Sequence, residues 1–376
     1  MVGLGDIARG EGLRYLQTHF VAPLQHKALV DIAQCRTAAL GTVSNTCDDC
    51  GEEYWLYCSC RNRSCPLCQG EAQRSWLEAR EEEILPVPYL HMVFTLPREL
   101  KVLARYCPVE TYNALIRSAG QAVIDVGRSK LHLRLGSLVE LQTWDKNMGF
   151  HPHAHGVVPS GGFSEDGTRW VSFEPQDLPA KTLANRFRTL MCRNILKAER
   201  RGKLGRLPAT LSVEQLVTKV KDRQWEVYAQ PPFGGAQKLL EYLARYTYRV
   251  AITNERIVSY QDHQVTFRRR GTSPCTLDGQ EFLQRFLMHV PPKGFVRIRS
   301  YGFLGNRKRK QSIESASRLI GNAGTPEPRQ PFTPLRLCPV CAYKRGLSTS
   351  HYAPGPELTP QLDLHLRPPP NEAVAA

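Results

Sequence analysis

Three histidines occupy alternate positions in the segment GFHPHAHGVVPSGG, residues 149–162. Alternate side chains of an extended strand point to one face, so His151, His153 and His155 are predicted to lie together. Two imidazoles and one further polar ligand would bind a divalent ion and leave coordination positions open. A phosphate oxygen can take such a position, where the ion stabilises charge that develops on the phosphate. The segment therefore predicts a metal site that acts on a phosphate group.

The third ligand of this site is left open by the spacing alone. Gln142 and Asp145 lie upstream, on or at the end of the strand that the segment SLVELQTWD predicts over residues 137–145. His151 lies on the same strand as the other two histidines. Each of these three side chains offers an oxygen or nitrogen ligand.

Two tyrosines in the segment KLLEYLARYTYR offer a nucleophile. The apolar spacing of residues 236–250 predicts an amphipathic helix, on which Tyr242 and Tyr246 share one face. They lie between a leucine-rich stripe and a basic stripe that includes Arg245 and Arg249, so a packed phenol there would reach a phosphate held by arginines. From the helix alone, simple packing of both rings is the plainer interpretation. A phenol with a pKa of about 10 needs a metal-activated phosphate to attack, which the histidine strand would supply.

The cysteines indicate bound zinc rather than disulfides. The chain has twelve of them, and the N-terminus lacks the apolar segment of a secretory signal peptide, so metal thiolates are expected in a cytosolic chain. Zinc takes four ligands in a tetrahedron, and a Cys-x-x-Cys pair supplies two of them from one tight turn. Two such pairs are predicted to bind one structural zinc ion, through Cys47, Cys50, Cys65 and Cys68.

Other cysteines leave alternatives open. Cys58 and Cys60 lie between the two pairs, and either could replace one of the four ligands or join a second ion. Cys338 and Cys341 form a further Cys-x-x-Cys pair near the C-terminus. The candidates to complete that half-site are Cys275, His351 and residues more distant in the sequence.

Charge points to a polyanionic partner. Lysine and arginine total 50 against 35 acidic residues, a formal net charge of +15, which favours nucleic acid first and a membrane surface second. Hydrophobic residues make up 41% of the chain, enough for an ordinary core, which excludes a disordered protein. No run approaches 18 apolar residues, so no membrane-spanning helix is expected. We expect a soluble, cytoplasmic protein.

The segment 297–310 is the strongest candidate for contact with DNA. It is basic, has no acidic residue, and carries interleaved aromatic rings. Guanidinium groups hold backbone phosphates while aromatic faces stack on unpaired bases, although a solvated basic run would give the same composition. The residues concerned are Arg297, Arg299, Tyr301, Phe303, Arg307, Lys308, Arg309 and Lys310.

Mixed helices and strands must position these residues. The segment PYLHMVFTLP predicts a buried strand over 88–97, and the strand over 137–145 and the histidine strand follow a helical stretch at 98–130. Helical spacing returns at 180–204 and 236–250. A helical segment precedes the cysteine-rich region at the N-terminus, and the C-terminal end, PPPNEAVAA, is predicted to be disordered.

Six motifs in order resemble one known family. They are CDDCG, CRNRSCPLCQ, VFTLP, HPHAH, YLARYTYRVAITNERI and PKGFVRIRSYGFLGNRKR. Together they are similar to the rolling-circle transposases of bacterial insertion sequences, the two-tyrosine HUH branch typified by insertion sequence 91. The resemblance covers about residues 10–345. Each motif alone is moderately specific, but six in the right order are highly specific.

The resemblance implies an α+β fold in which an N-terminal zinc-binding module precedes an HUH-nuclease domain with a central antiparallel sheet flanked by helices. It divides the chain into a helical lead-in and zinc-binding domain at 1–80, a catalytic domain at 86–310, and a tail at 311–376 that carries a Cys-x-x-Cys pair.

The resemblance also implies an activity. His153 and His155 match the family's metal-binding pair, for Mg²⁺ or Mn²⁺, with Gln142 the leading third ligand, and Tyr242 and Tyr246 match its nucleophiles. Family members nick single-stranded DNA and form a 5′-phosphotyrosine link. The free 3′-OH and the second tyrosine then allow strand transfer, with transposon ends and target DNA as partners.

Two other hypotheses explain part of the pattern. A plasmid replication initiator or relaxase would share the HUH chemistry, but the zinc module and the YLARY spacing favour a transposase. A non-catalytic zinc DNA-binding protein would explain the charge and the cysteines, yet would leave His153, His155 and the tyrosine pair without a role.

Overall fold

The structure is a computed structural model, and it describes residues 2–47, 50–70, 73, 83–205, 207–230, 250–269, 271–321 and 347–352. Helices and antiparallel strands are mixed along these residues. The predicted α+β class, with a central antiparallel sheet flanked by helices, is confirmed. Apart from Val250, the helix predicted over 236–250 lies outside the described residues.

A five-stranded sheet forms the centre of the fold. Its strands are β3 (Tyr89–Thr95), β5 (Gly136–Trp144), β6 (Phe150–Pro159), β9 (Val227–Gln230) and β13 (Ile298–Gly302). They lie in the order β13, β5, β6, β3, β9, and each is antiparallel to its neighbours. The strands predicted around residues 88–97, 137–145 and 150–159 are thus the three middle strands.

Helices flank this sheet on both faces. The described helices are α1 (Leu4–Thr18), α2 (Pro23–Gln34), α3 (Lys101–Tyr106), α4 (Pro108–Val126), α5 (Ala180–Arg200), α6 (Val213–Lys221), α7 (Gly279–Leu287) and α8 (Arg309–Ile320). Apolar residues three and four apart on α4 and α5 enter the main core. Phe187 of α5 packs edge-to-face on Phe94 of β3, with ring centroids 5.2 Å apart. Burying a side chain of this size stabilises the fold by about 1.5–3 kcal/mol.

Strand β6 alternates between two environments. Ala154 and Val158 lie in the main core with α4 and α5. The odd-numbered residues point to the opposite face, where Val157 packs with Leu138 of β5 in a separate cluster. The three histidines share that second face, next to the cluster, as their alternate spacing predicts.

Three smaller antiparallel sheets account for the other described strands. The first has the order β14, β1, β2, the second β10, β11, β12, and the third β4, β7, β8. Their strands are β1 (Thr42–Cys47), β2 (Glu53–Tyr57), β4 (Leu133–Arg134), β7 (Gly161–Ser164), β8 (Trp170–Ser172), β10 (Ile257–Gln261), β11 (Gln264–Arg269), β12 (Thr272–Asp278) and β14 (Leu347–Tyr352).

A second core joins the N-terminal helices to the later part of the chain. Apolar residues of α1 and α2 pack with those of α7, β10, β11 and β12. A buried carboxylate adds a polar link: Glu11 accepts hydrogen bonds from the Tyr260 hydroxyl at 2.8 Å and from Nδ1 of His263 at 2.6 Å. Trp144 and Met148, at the turn between β5 and β6, belong to the same core. The N-terminal helices therefore support the end of the sheet where the histidine strand begins.

His289 fixes the turn between β5 and β6. Its Nε2–H donates to the carbonyl of Met148 at 3.0 Å, and Nδ1 accepts from the Thr143 hydroxyl at 3.1 Å. Burial lowers the pKa of this imidazole to about 4, so it is neutral at pH 7. Protonation would remove the acceptor at Nδ1 and place a charge in the second core.

Within the described ranges, no helix has both the length and the apolar character needed to cross a bilayer.

His289 makes the fold acid-sensitive. Its pKa is lower in the folded protein, at about 4, than the unfolded value of about 6.5. Its stabilisation is therefore complete above pH 6.5 and is lost as the pH falls towards 4, by about 3 kcal/mol. We expect His289→Gln, which keeps a donor but does not titrate, to flatten the fall of the thermal unfolding midpoint between pH 6.5 and pH 4. Equal slopes for the two proteins would contradict this role.

Candidate functional site

Three ligand atoms converge on the second face of the central sheet. Nε2 of His153 lies 3.0 Å from Nε2 of His155, and Oε1 of Gln142 lies 3.2 Å from the same His155 nitrogen. The strand register produces this arrangement, because Gln142 of β5 lies directly opposite His153 of β6. Two imidazole nitrogens and an amide oxygen at these separations can share one divalent ion.

Neighbouring groups orient these ligand atoms. Nδ1–H of His153 donates to the backbone carbonyl of His151 at 2.6 Å, which leaves Nε2 as the ligand atom. The side-chain amide of Gln142 donates from Nε2 to the carbonyl of Trp144 at 3.1 Å, so Oε1 faces the histidines. Burial lowers the pKa of His153 to about 4, and the ring is therefore a neutral, ligand-competent imidazole at pH 7.

A fourth histidine, His91, belongs to this site and was not found from the sequence. Its Nε2 lies 2.9 Å from Nδ1 of His155, and the two rings stack with centroids 5.1 Å apart. His91 is buried, at 3% exposed. It lies on β3 two residues before Val93, which pairs with His155. The sequence did contain one sign of it, a histidine within the apolar segment that forms β3.

Asp145 and His151, the other candidates for the third ligand, make different contacts. Oδ1 of Asp145 accepts from the backbone amides of Asn147 and Gly149 at 2.7 and 2.8 Å, which closes the turn before β6. Nδ1 of His151 lies 3.3 Å from Nζ of Lys101. Of the three candidates, the structure brings Gln142 to the histidine pair.

A cavity of about 420 Å³ lies beside His151, at the end of the histidine strand. It is lined by Thr95, which pairs with His153, and by His151, Arg223 and Trp225 among others. Two carboxylates, Glu99 and Glu226, also line it, and Arg223 forms an ion pair with Glu99.

The tyrosine pair and its arginines lie outside the described residues. This applies to Tyr242, Tyr246, Arg245 and Arg249.

Four thiols form a second ligand group, near the N-terminus. The sulfur atoms of Cys35, Cys60, Cys65 and Cys68 all lie within 4.8 Å of one another. Three of the separations are 3.5 to 3.6 Å, close to the roughly 3.8 Å between corners of a tetrahedron with zinc–sulfur bonds of about 2.3 Å. The group fits a structural zinc ion.

This group corrects the predicted zinc ligands. Cys65 and Cys68 are members, as expected, but their partners are Cys35 and Cys60 rather than Cys47 and Cys50. Cys35 directly follows α2, and the amide of Arg36 donates to the carbonyl of Cys58 at 3.1 Å, which draws the end of α2 to the segment after β2. A Cys-x-x-Cys pattern does not reveal partners that the fold brings from outside the pair.

Some residues of the basic segment 297–310 lie on the surface, and others are partly or fully buried. Arg307 and Lys308 are exposed at the start of α8. Arg299 donates to Oδ1 of Asn113 at 2.5 Å and lies 5.1 Å from the centre of the Phe295 ring, while Arg297 is half-buried. Arg309 forms an ion pair with Glu83, whereas Lys310 is exposed, so Arg307, Lys308 and Lys310 are the members best placed for contact with a phosphate backbone.

The aromatic rings of this segment are used for packing. Tyr301 packs against α4, where a Cβ atom on Gly120 would lie 2.3 Å from its ring. Phe303 is buried and meets Phe163 edge-to-face at 5.3 Å. Base stacking by Phe303 is therefore incompatible with its position, and stacking by Tyr301 stays a prediction.

Comparison with known proteins gives consistent matches. Residues 7–96 match a family model described as "Transposase zinc-binding domain", and residues 136–312 match one described as "Putative transposase". The "Putative transposase y4qJ" of Sinorhizobium fredii is 38% identical over 368 residues, which cover 90% of this chain and 92% of that protein. The "Transposase for insertion sequence element IS801" of Pseudomonas savastanoi pv. phaseolicola is 25% identical over 334 residues, 83% of this chain and 78% of that protein.

Among solved structures, the conjugative relaxase TrwC in complex with mutant OriT DNA is similar with a TM-score of 0.24 and 12% identity. The match covers 60% of this chain and 72% of that one.

A relative matched over nine-tenths of its length at 38% identity places the chain in the class of transposases, enzymes that act on DNA. The zinc-binding model at the N-terminus and the IS801 relative identify the branch. The chain belongs to the insertion sequence 91 family of transposases, as the order of its motifs indicated.

The corrected zinc group is tested by substitution. We expect Cys35→Ser to remove one zinc ion per chain and to lower the thermal unfolding midpoint, because Cys35 and Cys65 lie in the second core. Zinc content is measured by elemental analysis of the purified protein. Cys275→Ser on β12 is the matched control and should retain the wild-type zinc content. If the zinc content of Cys35→Ser is unchanged, the prediction from spacing that Cys47 and Cys50 join Cys65 and Cys68 would stand again.

Proposed function

We propose that this transposase nicks single-stranded DNA at transposon ends with a divalent metal ion held by His153, His155 and Gln142. The observation that carries the proposal is the convergence of two imidazole nitrogens and one amide oxygen within 3.2 Å on one sheet face. The hydrogen bonds that fix His153 and Gln142 leave the ligand atoms directed at one another.

The donor set suits Mg²⁺ or Mn²⁺. Two neutral imidazoles and an amide oxygen leave open positions on a six-coordinate ion, which water or phosphate oxygens can occupy. When bound, the ion would polarise the scissile phosphate and offset the charge that develops on it. Gln142 is a neutral ligand, so the ion would keep its full positive charge towards DNA.

Tyr242 and Tyr246 are the proposed nucleophiles. The phenol oxygen of one would attack phosphorus, a tyrosine O–P bond would form, and the bond from phosphorus to the 3′ oxygen would break. The net transfer of the phenol proton to that oxygen leaves a free 3′-OH and a 5′-phosphotyrosine link. The second tyrosine would repeat the step on another strand, and the 3′-OH would reverse it, which gives rolling-circle strand transfer without a double-strand break.

The described residues that flank the tyrosine segment support its placement near the site. Before it, β9 pairs with β3, the strand next to the histidine strand. After it, Val250 lines the same small cavity as Trp144 and His289 at the end of β5. The described residues on either side of the tyrosine segment thus lie beside β3 and the end of β5.

The cavity beside His151 suits the substrate. Its volume of about 420 Å³ lies in the range of small-molecule pockets, so a nucleotide next to the scissile phosphate would fit. Arg223, which is paired with Glu99, lines it, and Lys101 lies 3.3 Å from His151; these two cations are proposed contacts with the DNA backbone. Arg307 and Lys308, together with Arg245, Arg249, Arg297 and Arg299, are the further proposed DNA contacts.

The covalent step predicts a protein–DNA adduct. Labelled single-stranded DNA that carries the element's end should become linked to the protein in Mn²⁺ and not in a chelator, as seen on a denaturing gel. Tyr242→Phe/Tyr246→Phe should abolish the adduct because no phenol remains to attack. Tyr248→Phe is the matched control and should retain it. An adduct in the double variant would show that the nucleophiles are elsewhere.

His91 is expected to tune the metal site. If His155 binds the ion through Nε2, its Nδ1 carries the proton and donates to Nε2 of His91, 2.9 Å away. His91→Leu removes the acceptor and should weaken Mn²⁺ binding about 10–100-fold, measured by calorimetric titration. His91→Gln keeps an acceptor and should weaken it less. His151→Gln is the control, since His151 contacts Lys101 instead, and equal affinities across all three variants would exclude the orienting role.

A further inference from the structure

A basic cleft lies between helices α4 and α5. It is lined by residues of α4, of the last turns of α5 and of the segment that follows α5, and its volume is about 110 Å³. Four cations line it, all of them exposed, together with one carboxylate. The cations are Arg117, Lys197, Arg201 and Lys203, and the carboxylate is Glu110.

The cations of the basic cleft are not neutralised within the described part of the chain. None of the ion pairs found there includes any of the four, whereas Arg186, on the same helix α5, pairs with Asp125. Arg193, Lys197 and Arg201 follow one another at intervals of four residues, a spacing at which like charges repel. An anion bound beside them would offset that repulsion.

The dipole of helix α5 explains part of this arrangement. Cations near the C-terminus of a helix interact favourably with the carbonyl groups there, which accounts for Lys197 and Arg201. Arg117 lies in the middle of α4, beyond the reach of that effect, yet lines the same cleft. Arg299 of β13 donates to Oδ1 of Asn113 at 2.5 Å, and Asn113 is part of the cleft wall. Cations from three separate elements therefore meet at one place.

Packing holds the walls of the basic cleft in position. Apolar residues of α4 and α5 share the main core. In addition, Nδ2 of Asn194 on α5 donates to Oγ of Ser118 on α4 at 2.9 Å, and Ser118 is fully buried. Because the two helices are fixed before a ligand arrives, binding does not require them to be ordered.

The basic cleft and the histidines lie on opposite faces of the central sheet. Helices α4 and α5 pack on the face to which Ala154 and Val158 point. The histidines point to the other face, where Val157 packs with Leu138. The sheet separates the two places, so a phosphate in the basic cleft is not the phosphate beside the metal ligands.

The size and chemistry of the basic cleft fit a phosphate that belongs to a duplex. Its volume of about 110 Å³ is below the roughly 300–1,000 Å³ of small-molecule pockets, too small to enclose a free nucleotide. Among the described residues that line it, none is aromatic, so unpaired bases would have no ring on which to stack. Duplex DNA presents one negative charge per about 1.7 Å of its axis, which exposed lysine and arginine side chains neutralise.

We infer that the basic cleft binds the phosphate backbone of duplex DNA and is a second DNA-binding surface, on the face of the sheet opposite the histidines. The inference goes beyond the proposed nicking activity and rests on it only for the single strand at the histidine face. Phosphate contacts carry no base information, so binding at the cleft would be independent of sequence. One chain could then hold a duplex segment while a single strand lies at the metal site.

The experiment measures the binding of a labelled duplex of arbitrary sequence to the full-length protein, by fluorescence anisotropy at a series of salt concentrations. Lys197→Gln/Arg201→Gln removes two phosphate contacts and should reduce the slope of log K against log salt by about 2, because each contact releases about one counterion. Arg128→Gln/Lys130→Gln is the matched control, since it removes two exposed charges just after α4 and outside the cleft.

The control should keep the wild-type slope. Absence of duplex binding by the wild type, equal slopes in the wild type and Lys197→Gln/Arg201→Gln, or the same reduction in the control would each overturn the inference.

A second measurement separates the basic cleft from the metal site. Lys197→Gln/Arg201→Gln should form the covalent adduct with a short single strand to the wild-type extent, because the cleft lies on the other face of the sheet. Loss of the adduct in this variant would place the cleft at the site of nicking and contradict the inference. If the wild type itself forms no adduct, the proposed nicking activity fails, while the salt slopes still decide whether the cleft binds duplex DNA.

Discussion

The pairing of β6 between β3 and β5 is the constraint on which the site depends. It places the even-numbered residues of β6 in the main core with α4 and α5, so the histidines must occupy the other face. The same register sets Gln142 opposite His153 and brings His91 diagonally to His155. A shift of one residue would turn the imidazoles into the apolar core and expose Ala154 and Val158. The hydrophobic effect that fixes the sheet therefore also fixes the positions of the proposed metal ligands.

The sequence was sufficient to predict those features that depend on a local pattern of residues. Alternation identified the histidine strand, apolar runs identified β3 and β5, and the order of motifs identified the family. Gln142 lies 3.2 Å from His155, and its role as a metal ligand stays a prediction. His91 was missed because its role arises from pairing between strands 64 residues apart, and nothing in its local sequence separates it from a buried polar residue.

The zinc ligands also depend on contacts between residues that are distant in the sequence. Two Cys-x-x-Cys pairs close in sequence were expected to share an ion, since spacing was the available criterion. The fold instead brings Cys35 from the end of α2 and Cys60 from beyond β2 to the pair at 65–68. Partners of this kind are set by packing of the second core, which also contains Cys35 and Cys65. Phe303, which was predicted to contact DNA, is likewise buried and packs against Phe163.

The strand pair of β1 and β14 has a consequence for the order of events during synthesis. Chains are made from the N-terminus, and domains fold as they emerge. β1 is among the first strands to be made, whereas its partner β14 comes within the last residues of the chain. Until then one edge of β1 is open to pairing with other strands, a known route to aggregation. A chain cut short before β14 would keep that open edge permanently.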